Sequence, residues 1–219
     1  MPFPTQTFTD PVSAQGTLMN LAQSNGLDGA VLDGTEAVQN AVLVNLLQGT
    51  PATTVHGGTA VANGAGALGT GGFVSTSVMR EGGLIVTRVL VDLTGLSSST
   101  TDLDIIGQGA EPAFITQITA ATNGTIVGGT MTCLEAPAGG VTDIDLYAAT
   151  EGTGAFDAGI GTLTETPVVT SGGAWTLGRV LGTAADGIAA NSYLYLTGGA
   201  AGTAAAYTAG RILITLFGR

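Results

Sequence analysis

The sequence predicts a mainly β protein: antiparallel strands closed into a sandwich, jelly roll or barrel, with a short helical arm at the N-terminus. Three observations carry this. Glycine occurs 36 times in 219 residues, more than twice its usual share of about 7%. It follows no Gly-X-Y period and lies with Thr and Ala between short apolar runs, a composition that suits many strands joined by turns. From Phe73 onward the runs recur about every 8–12 residues, punctuated by Gly, Asn, Asp or Pro. The chain then finishes on Tyr207-Thr-Ala-Gly-Arg-Ile-Leu-Ile-Thr-Leu-Phe217, where Ile212, Ile214 and Leu216 take one face of a strand and Leu213 and Phe217 the other. A strand apolar on both faces is central in a sandwich, or is covered outside by another subunit.

Taken in order, residues 1–10 are extended, with Pro2 and Pro4 fixing the backbone. Asp10-Pro11 reads as an N-cap and first helical position, opening a helix to about Ser24 that Asn25-Gly26 stops. A second helix spans Thr35 to Gln48. Asp33 and Glu36 have the capping-box spacing, Gly49 suits a left-handed cap and Pro51 prevents resumption. Val38, Ala41, Val42 and Leu46 share one face, but Leu43, Val44 and Leu47 widen the stripe around most of the circumference. Such a helix must be covered on nearly every side, so Val38, Val42 and Leu46 are candidate interface residues, as are Ile212, Ile214 and Leu216 of the terminal strand. Residues 51–72 read as a Gly-rich linker. The expected organisation is an arm over 1–50, the linker over 51–72 and a β-sandwich domain over 73–219.

Within that domain the expected strands are Phe73–Met79, Leu84–Leu93, Asp102–Ile106, Ala113–Thr119, Thr125–Leu134, Val141–Ala148, Leu163–Val169, Ala174–Leu181, Ser192–Thr197 and Ala206–Phe217. Asn123-Gly124 between apolar runs predicts a hairpin. In Ser192–Thr197 the alternation is strict, with Tyr193, Tyr195 and Thr197 opposite Leu194 and Leu196. Thr101-Asp-Leu-Asp-Ile105 echoes Thr142-Asp-Ile-Asp-Leu146, which reads either as equivalent strands of a doubled Greek key or as convergent alternation.

Charge narrows the function. Sixteen acids stand against 5 arginines with no lysine, a net charge of −11. No basic surface can be built to release the counterions of a nucleic acid, and an anionic membrane is disfavoured for the same reason. The N-terminus has neither the basic nor the apolar region of a secretory signal, and the apolar run Ala41–Leu47 is far short of the ~20 residues that span a bilayer. The chain is expected to be made in the cytoplasm without crossing a membrane by itself. The one cysteine, Cys133, excludes an internal disulfide and reads as a buried, inert thiol.

No reaction is legible. His56 sits in the Gly-rich stretch without a rigid seat or a carboxylate partner, and one His with one Cys leaves zinc no ligand set. Gly64-Ala-Gly-Ala-Leu-Gly69 matches G-x-G-x-x-G, but it follows no strand and opens no helix, so it reads as linker. Asp102 with Asp104, and Asp143 with Asp145, offer oxygen ligands at a spacing that could hold calcium, with a solvated strand face as the favoured reading. Tyr147, Tyr193, Tyr195, Tyr207 and Trp175 read as core or interface packing before they read as a sugar platform. The expected protein is not an enzyme and takes no cofactor.

The last third of the chain carries a resemblance. Thr142-Asp-Ile-Asp-Leu-Tyr147, Thr150-Glu-Gly-Thr-Gly154, Gly173-Ala-Trp-Thr176, Ala190-Asn-Ser-Tyr-Leu-Tyr-Leu-Thr197 and Tyr207-Thr-Ala-Gly-Arg-Ile-Leu-Ile214 together resemble small virion structural proteins of tailed bacteriophages, particularly those of marine hosts. The resemblance implies a jelly-roll β-sandwich on the outer surface of a virion, often trimeric, which decorates the capsid as a cement protein with the major capsid protein and its own copies as partners. The alternative it leaves is a head-fibre or tail-associated module that binds host-surface glycans, with Trp175 and the Tyr193/Tyr195 face as candidates. The helical N-terminal third matches nothing in that class.

Overall fold

The structure, a computed structural model, describes residues 63–184, 188–202 and 204–219. The two expected helices, with Val38, Val42 and Leu46, and His56 lie outside the described residues. The strands are β1 (Val74–Glu81), β2 (Leu84–Asp92), β3 (Ser97–Ser98), β4 (Thr116–Gln117), β5 (Ile126–Ala138), β6 (Ile144–Ala149), β7 (Glu165–Val169), β8 (Val180–Gly182), β9 (Tyr193–Gly198), β10 (Ala205–Ala206) and β11 (Ala209–Gly218). One short helix, α1, covers Ala120–Asn123. The protein is mainly β with antiparallel sheets, as the composition and spacing predict.

The strands form a five-stranded sheet of order β1-β2-β11-β5-β8, a four-stranded sheet of order β4-β9-β6-β7 and a two-stranded pair β10-β3. The pairing is nested. β2 pairs with β11, β3 with β10, β4 with β9, β5 with β8 and β6 with β7, each antiparallel. From β2 onward the chain is therefore one long antiparallel ribbon. Two further pairings, β11 with β5 and β9 with β6, close the ribbon into its two main sheets.

Alternation decides which side chains enter the core. Val89 and Val91 of β2, Met131 and Cys133 of β5, and Ile212, Ile214 and Leu216 of β11 meet Leu146 and Ala148 of β6 and Leu194 and Leu196 of β9 in one buried cluster. Each fully buried aliphatic side chain of this kind contributes about 1.5–3 kcal/mol of transfer free energy. The other face of the four-stranded sheet is covered as well: Tyr147, Ala149 and Tyr195 pack against Ile105, Ala113 and Ile160 from the loops. β6 is buried along its whole length. The terminal strand β11, apolar on both faces, lies centrally between β2 and β5.

Several elements differ from the sequence-based expectation. Asn123-Gly124 does not make a hairpin. Thr119 caps α1 by accepting from the Thr122 N–H, and the Asn123 side chain accepts from the Thr119 N–H at 2.8 Å and donates to the Thr87 hydroxyl at 2.9 Å. The asparagine is fully buried, and the strands on either side, β4 and β5, enter different sheets. Only Thr116–Gln117 of the expected Ala113–Thr119 strand pairs as a strand.

Residues 102–106 are not a strand either. Leu103 has φ of 63°, which breaks the alternation, and Asp104 and Ile105 make only isolated bridges to Gly159 and Thr197. The echo with residues 142–146 is thus not a pair of equivalent strands. Of the expected Ala174–Leu181 strand, only the end survives in β8, because the Trp175 N–H turns to the Thr142 carbonyl and Gly178 takes φ of 81°.

The described end of the stretch read as linker, residues 63–72, is packed into the fold. A 3-10 turn spans Ala65–Ala67. The Gly64 and Gly66 N–H groups donate to the Phe114 and Pro112 carbonyls, both at 2.8 Å. A Cβ on Gly64, Gly66 or Gly69 would lie 2.1–2.3 Å from the carbonyl oxygens of Pro112, Glu111 and Thr94 respectively. The G-x-G-x-x-G spacing is explained by close approach of backbone to backbone.

Candidate functional site

Of the interface candidates, Ile212, Ile214 and Leu216 are fully buried in the chain's own core. The exposed side of β11 therefore belongs to Arg211, Leu213, Thr215 and Phe217, and any neighbour would have to meet that face. The aromatic residues are likewise inward. Trp175 and Tyr207 are 2% exposed and Tyr195 is fully buried. Their polar atoms are satisfied inside the chain: Trp175 Nε1 donates to the Ile144 carbonyl at 2.7 Å, Tyr195 to that of Glu151 at 2.8 Å and Tyr207 to that of Val141 at 2.7 Å. Burial pushes the Tyr207 hydroxyl well above the usual tyrosine range. Tyr193 is half-buried, edge-on to Phe114 with ring centroids 4.9 Å apart. These rings hold loops to the sheet and offer no open platform.

Among the described residues, a group of titratable side chains lies at the start of β6. Asp145 is buried opposite Thr197 of β9. The Ser171 N–H donates to Asp145 Oδ1 at 2.6 Å, and the Ser171 hydroxyl donates to Asp143. Burial raises the Asp145 carboxyl above the ordinary aspartate range. The charges of Asp143 and Asp102 add to this, and the Ser171 hydrogen bonds only partly oppose it. Tyr147, two residues on, is also raised, first by burial and then by the charges of Asp145, Glu165 and Asp102. Thr197 Oγ1 and Glu165 Oε2 are buried without a hydrogen-bond partner on this side of the sheet.

Sequence spacing places Asp143 and Asp145 together correctly, but Asp145 is buried rather than a solvated strand residue. The residue that spacing misses is Ser171, which joins the two carboxylates from 26 and 28 positions away. No local pattern marks it. Beside it, Arg179 donates to the carbonyls of Ser171, Gly173 and Ala174 and lies 5.2 Å over the Trp175 ring. Together these contacts fasten the loop between β7 and β8 to the start of β6.

Among the described residues no group of three or more His, Cys, Asp or Glu converges as a metal site. Cys133 is buried, and its thiol is raised by that burial, which disfavours the reactive thiolate. Among the described residues no helix is long and apolar enough to cross a membrane. Comparison with protein-family models, curated proteins and solved structures finds no match.

Proposed function

We propose that this chain is a structural virion protein of a tailed bacteriophage, a jelly-roll β-sandwich that decorates and stabilises the outer capsid surface by binding the major capsid protein and its own copies. The nested strand ladder carries the reading. An antiparallel ribbon in which β2 pairs with β11 and successive strands pair inward to β6 and β7, divided between two main sheets, supports a jelly roll of two Greek keys. Jelly rolls recur in capsid and lectin domains, and fold alone does not choose between them. The burial of Trp175 and Tyr195 counts against those two rings as a glycan platform, and the resemblance of residues 141–218 to small virion proteins favours the capsid role.

The mechanism is mass action, with no catalysis. A protein that binds the assembled shell and not its parts stabilises the shell by its binding free energy, about 2.7 kcal/mol at a hundredfold excess over Kd. The test adds purified full-length chain to shells assembled without it, then measures bound protein and the temperature of shell disruption. Saturable binding with a raised disruption temperature is expected. No binding, or binding that leaves the disruption temperature unchanged, contradicts the role.

A further inference from the structure

Asp143 and Asp145 lean together over Gly199. A Cβ on that glycine would lie 2.6 Å from Asp143 Oδ1 and 2.8 Å from Asp145 Oδ1, so the two carboxylates converge on the space that a side chain would fill. The pairing of β6 with β9 explains this. The Gly199 N–H donates to the Asp143 carbonyl at 2.8 Å, and Asp145 stands directly opposite Thr197. Residues opposite each other in an antiparallel pair leave the sheet on the same face, with Cβ atoms about 4.5–5.5 Å apart. Asp143, Asp145 and Thr197 therefore frame one patch of that face, left open by Gly199.

Among the described residues no ion pair reaches these carboxylates. The three ion pairs, Arg88 with Glu81 and Arg211 with Asp92 and Glu135, all lie on the five-stranded sheet. Arg179 is turned to the carbonyls of Ser171, Gly173 and Ala174. The charges that act on Asp145 are those of Asp143 and Asp102. The hydrogen bonds from the Ser171 N–H to Asp145 and from the Ser171 hydroxyl to Asp143 both fall on Oδ1 atoms. Buried charges are ordinarily paired or coordinate a metal.

Thr197 gives a second and separate sign. Its side chain is fully buried, and its Oγ1 has no hydrogen-bond partner although it stands beside Asp145. A buried hydroxyl left unpaired is costly. A cation in the patch would take its lone pair.

We propose that Asp143, Asp145 and Thr197 form a calcium site over Gly199. The donors are all hard oxygens, with no imidazole or thiolate to favour zinc. Calcium takes about six to eight oxygens in a flexible geometry, water among them, whereas magnesium demands a near-ideal octahedron. Two carboxylates and a hydroxyl, completed by water and by the neighbouring Ser171 hydroxyl, suit the larger ion. Bound there, it would tie the start of β6 to the end of β9 and to the loop after β7 that carries Ser171. The site stands whether or not the chain meets a capsid.

The test is calorimetric titration and thermal melting of the full-length chain, stripped with a chelator and then dialysed free of it. Calcium chloride and, separately, magnesium chloride are added at constant ionic strength. The variants are Asp143→Asn, Thr197→Val and, as a control at an exposed acid elsewhere, Glu111→Gln, with circular dichroism confirming that each folds. The expected result is saturable calcium binding that raises Tm, a smaller response to magnesium, and a control that behaves like the parent. The calcium dissociation constant is expected to rise at least about tenfold, equal to about 1.4 kcal/mol, in Asp143→Asn and about threefold or more in Thr197→Val. Without calcium, Thr197→Val is expected to melt at or above the parent's temperature, because it removes the unpaired hydroxyl. A parent that ignores calcium overturns the site. An equal response to magnesium, which means general screening of the acids, also overturns it, as does parent-like calcium affinity in whichever of Asp143→Asn and Thr197→Val folds.

Discussion

Arg211 and Asp92 face each other across β11 and β2, with Arg211 Nε donating to Asp92 Oδ2 at 3.0 Å. They are 119 positions apart in the chain, so the contact joins the two ends of the ribbon. Burial alone would raise the Asp92 carboxyl. Hydrogen bonds from Thr94 and the Arg211 guanidinium outweigh that and hold it below the ordinary aspartate range.

A carboxyl lowered by folding contributes stability above its unfolded pKa of about 3.9 and loses it as pH falls through the folded value. Arg211→Gln is therefore expected to lower Tm clearly at pH 7 and progressively less as pH falls through the lowered folded value of Asp92, below which the carboxyl is protonated in both proteins. Thermal melts of the two chains across pH check this. An equal loss at every pH would mean that the ion pair is not the cause.

Asp145 runs the other way. Its carboxyl is raised by burial and by the neighbouring Asp143, so its contribution is full below about pH 3.9 and is lost as pH rises through the elevated folded value. Asp145→Asn keeps an oxygen for the Ser171 N–H and removes the buried charge. The variant is expected to match the parent at low pH and to be more stable at pH 7. Chemical denaturation at both pH values measures it, and a variant less stable than the parent at pH 7 would contradict the raised carboxyl.

Gly64→Ala and Gly66→Ala place a methyl group against the Pro112 and Glu111 carbonyls. Overpacking of this kind costs about 1–3 kcal/mol. Gly161→Ala, where nothing lies within 4 Å, is the control and is expected to change stability by less than about 0.5 kcal/mol. Equal effects at Gly64 and Gly161 would show that residues 63–72 are not packed as described.

The aromatic anchors give a fourth expectation. Trp175→Ala removes a core ring and the donor to the Ile144 carbonyl, a loss of about 3–5 kcal/mol. Tyr207→Phe removes only the hydroxyl bound to the Val141 carbonyl, a loss of about 1–2 kcal/mol. If Trp175→Ala melts like the parent, the ring is at the surface and the glycan-binding reading regains its site.

Much of the β-domain was legible because its longer strands carry their own signal. β1, β2, β7, β9 and β11 fall close to where alternation places them, and the doubly apolar Ile212–Phe217 run correctly announces a central strand. What local pattern cannot show is partnership over distance. Asn123-Gly124 has the composition of a hairpin, but the side-chain bonds of Asn123 to Thr119 and Thr87 make it a helical turn between sheets. The glycines of residues 64–69 look like a linker because their purpose, room for the backbones of Pro112, Glu111 and Thr94, lies elsewhere in the chain. Ser171 was invisible beside Asp143 and Asp145 for the same reason.

The measurement that tests the central claim most directly is a quantitative protein inventory of purified virions from a phage that encodes this chain. The account predicts a copy number of the same order as that of the major capsid protein. Absence from the particle, or a copy number smaller by an order of magnitude or more, would contradict a capsid-decorating role.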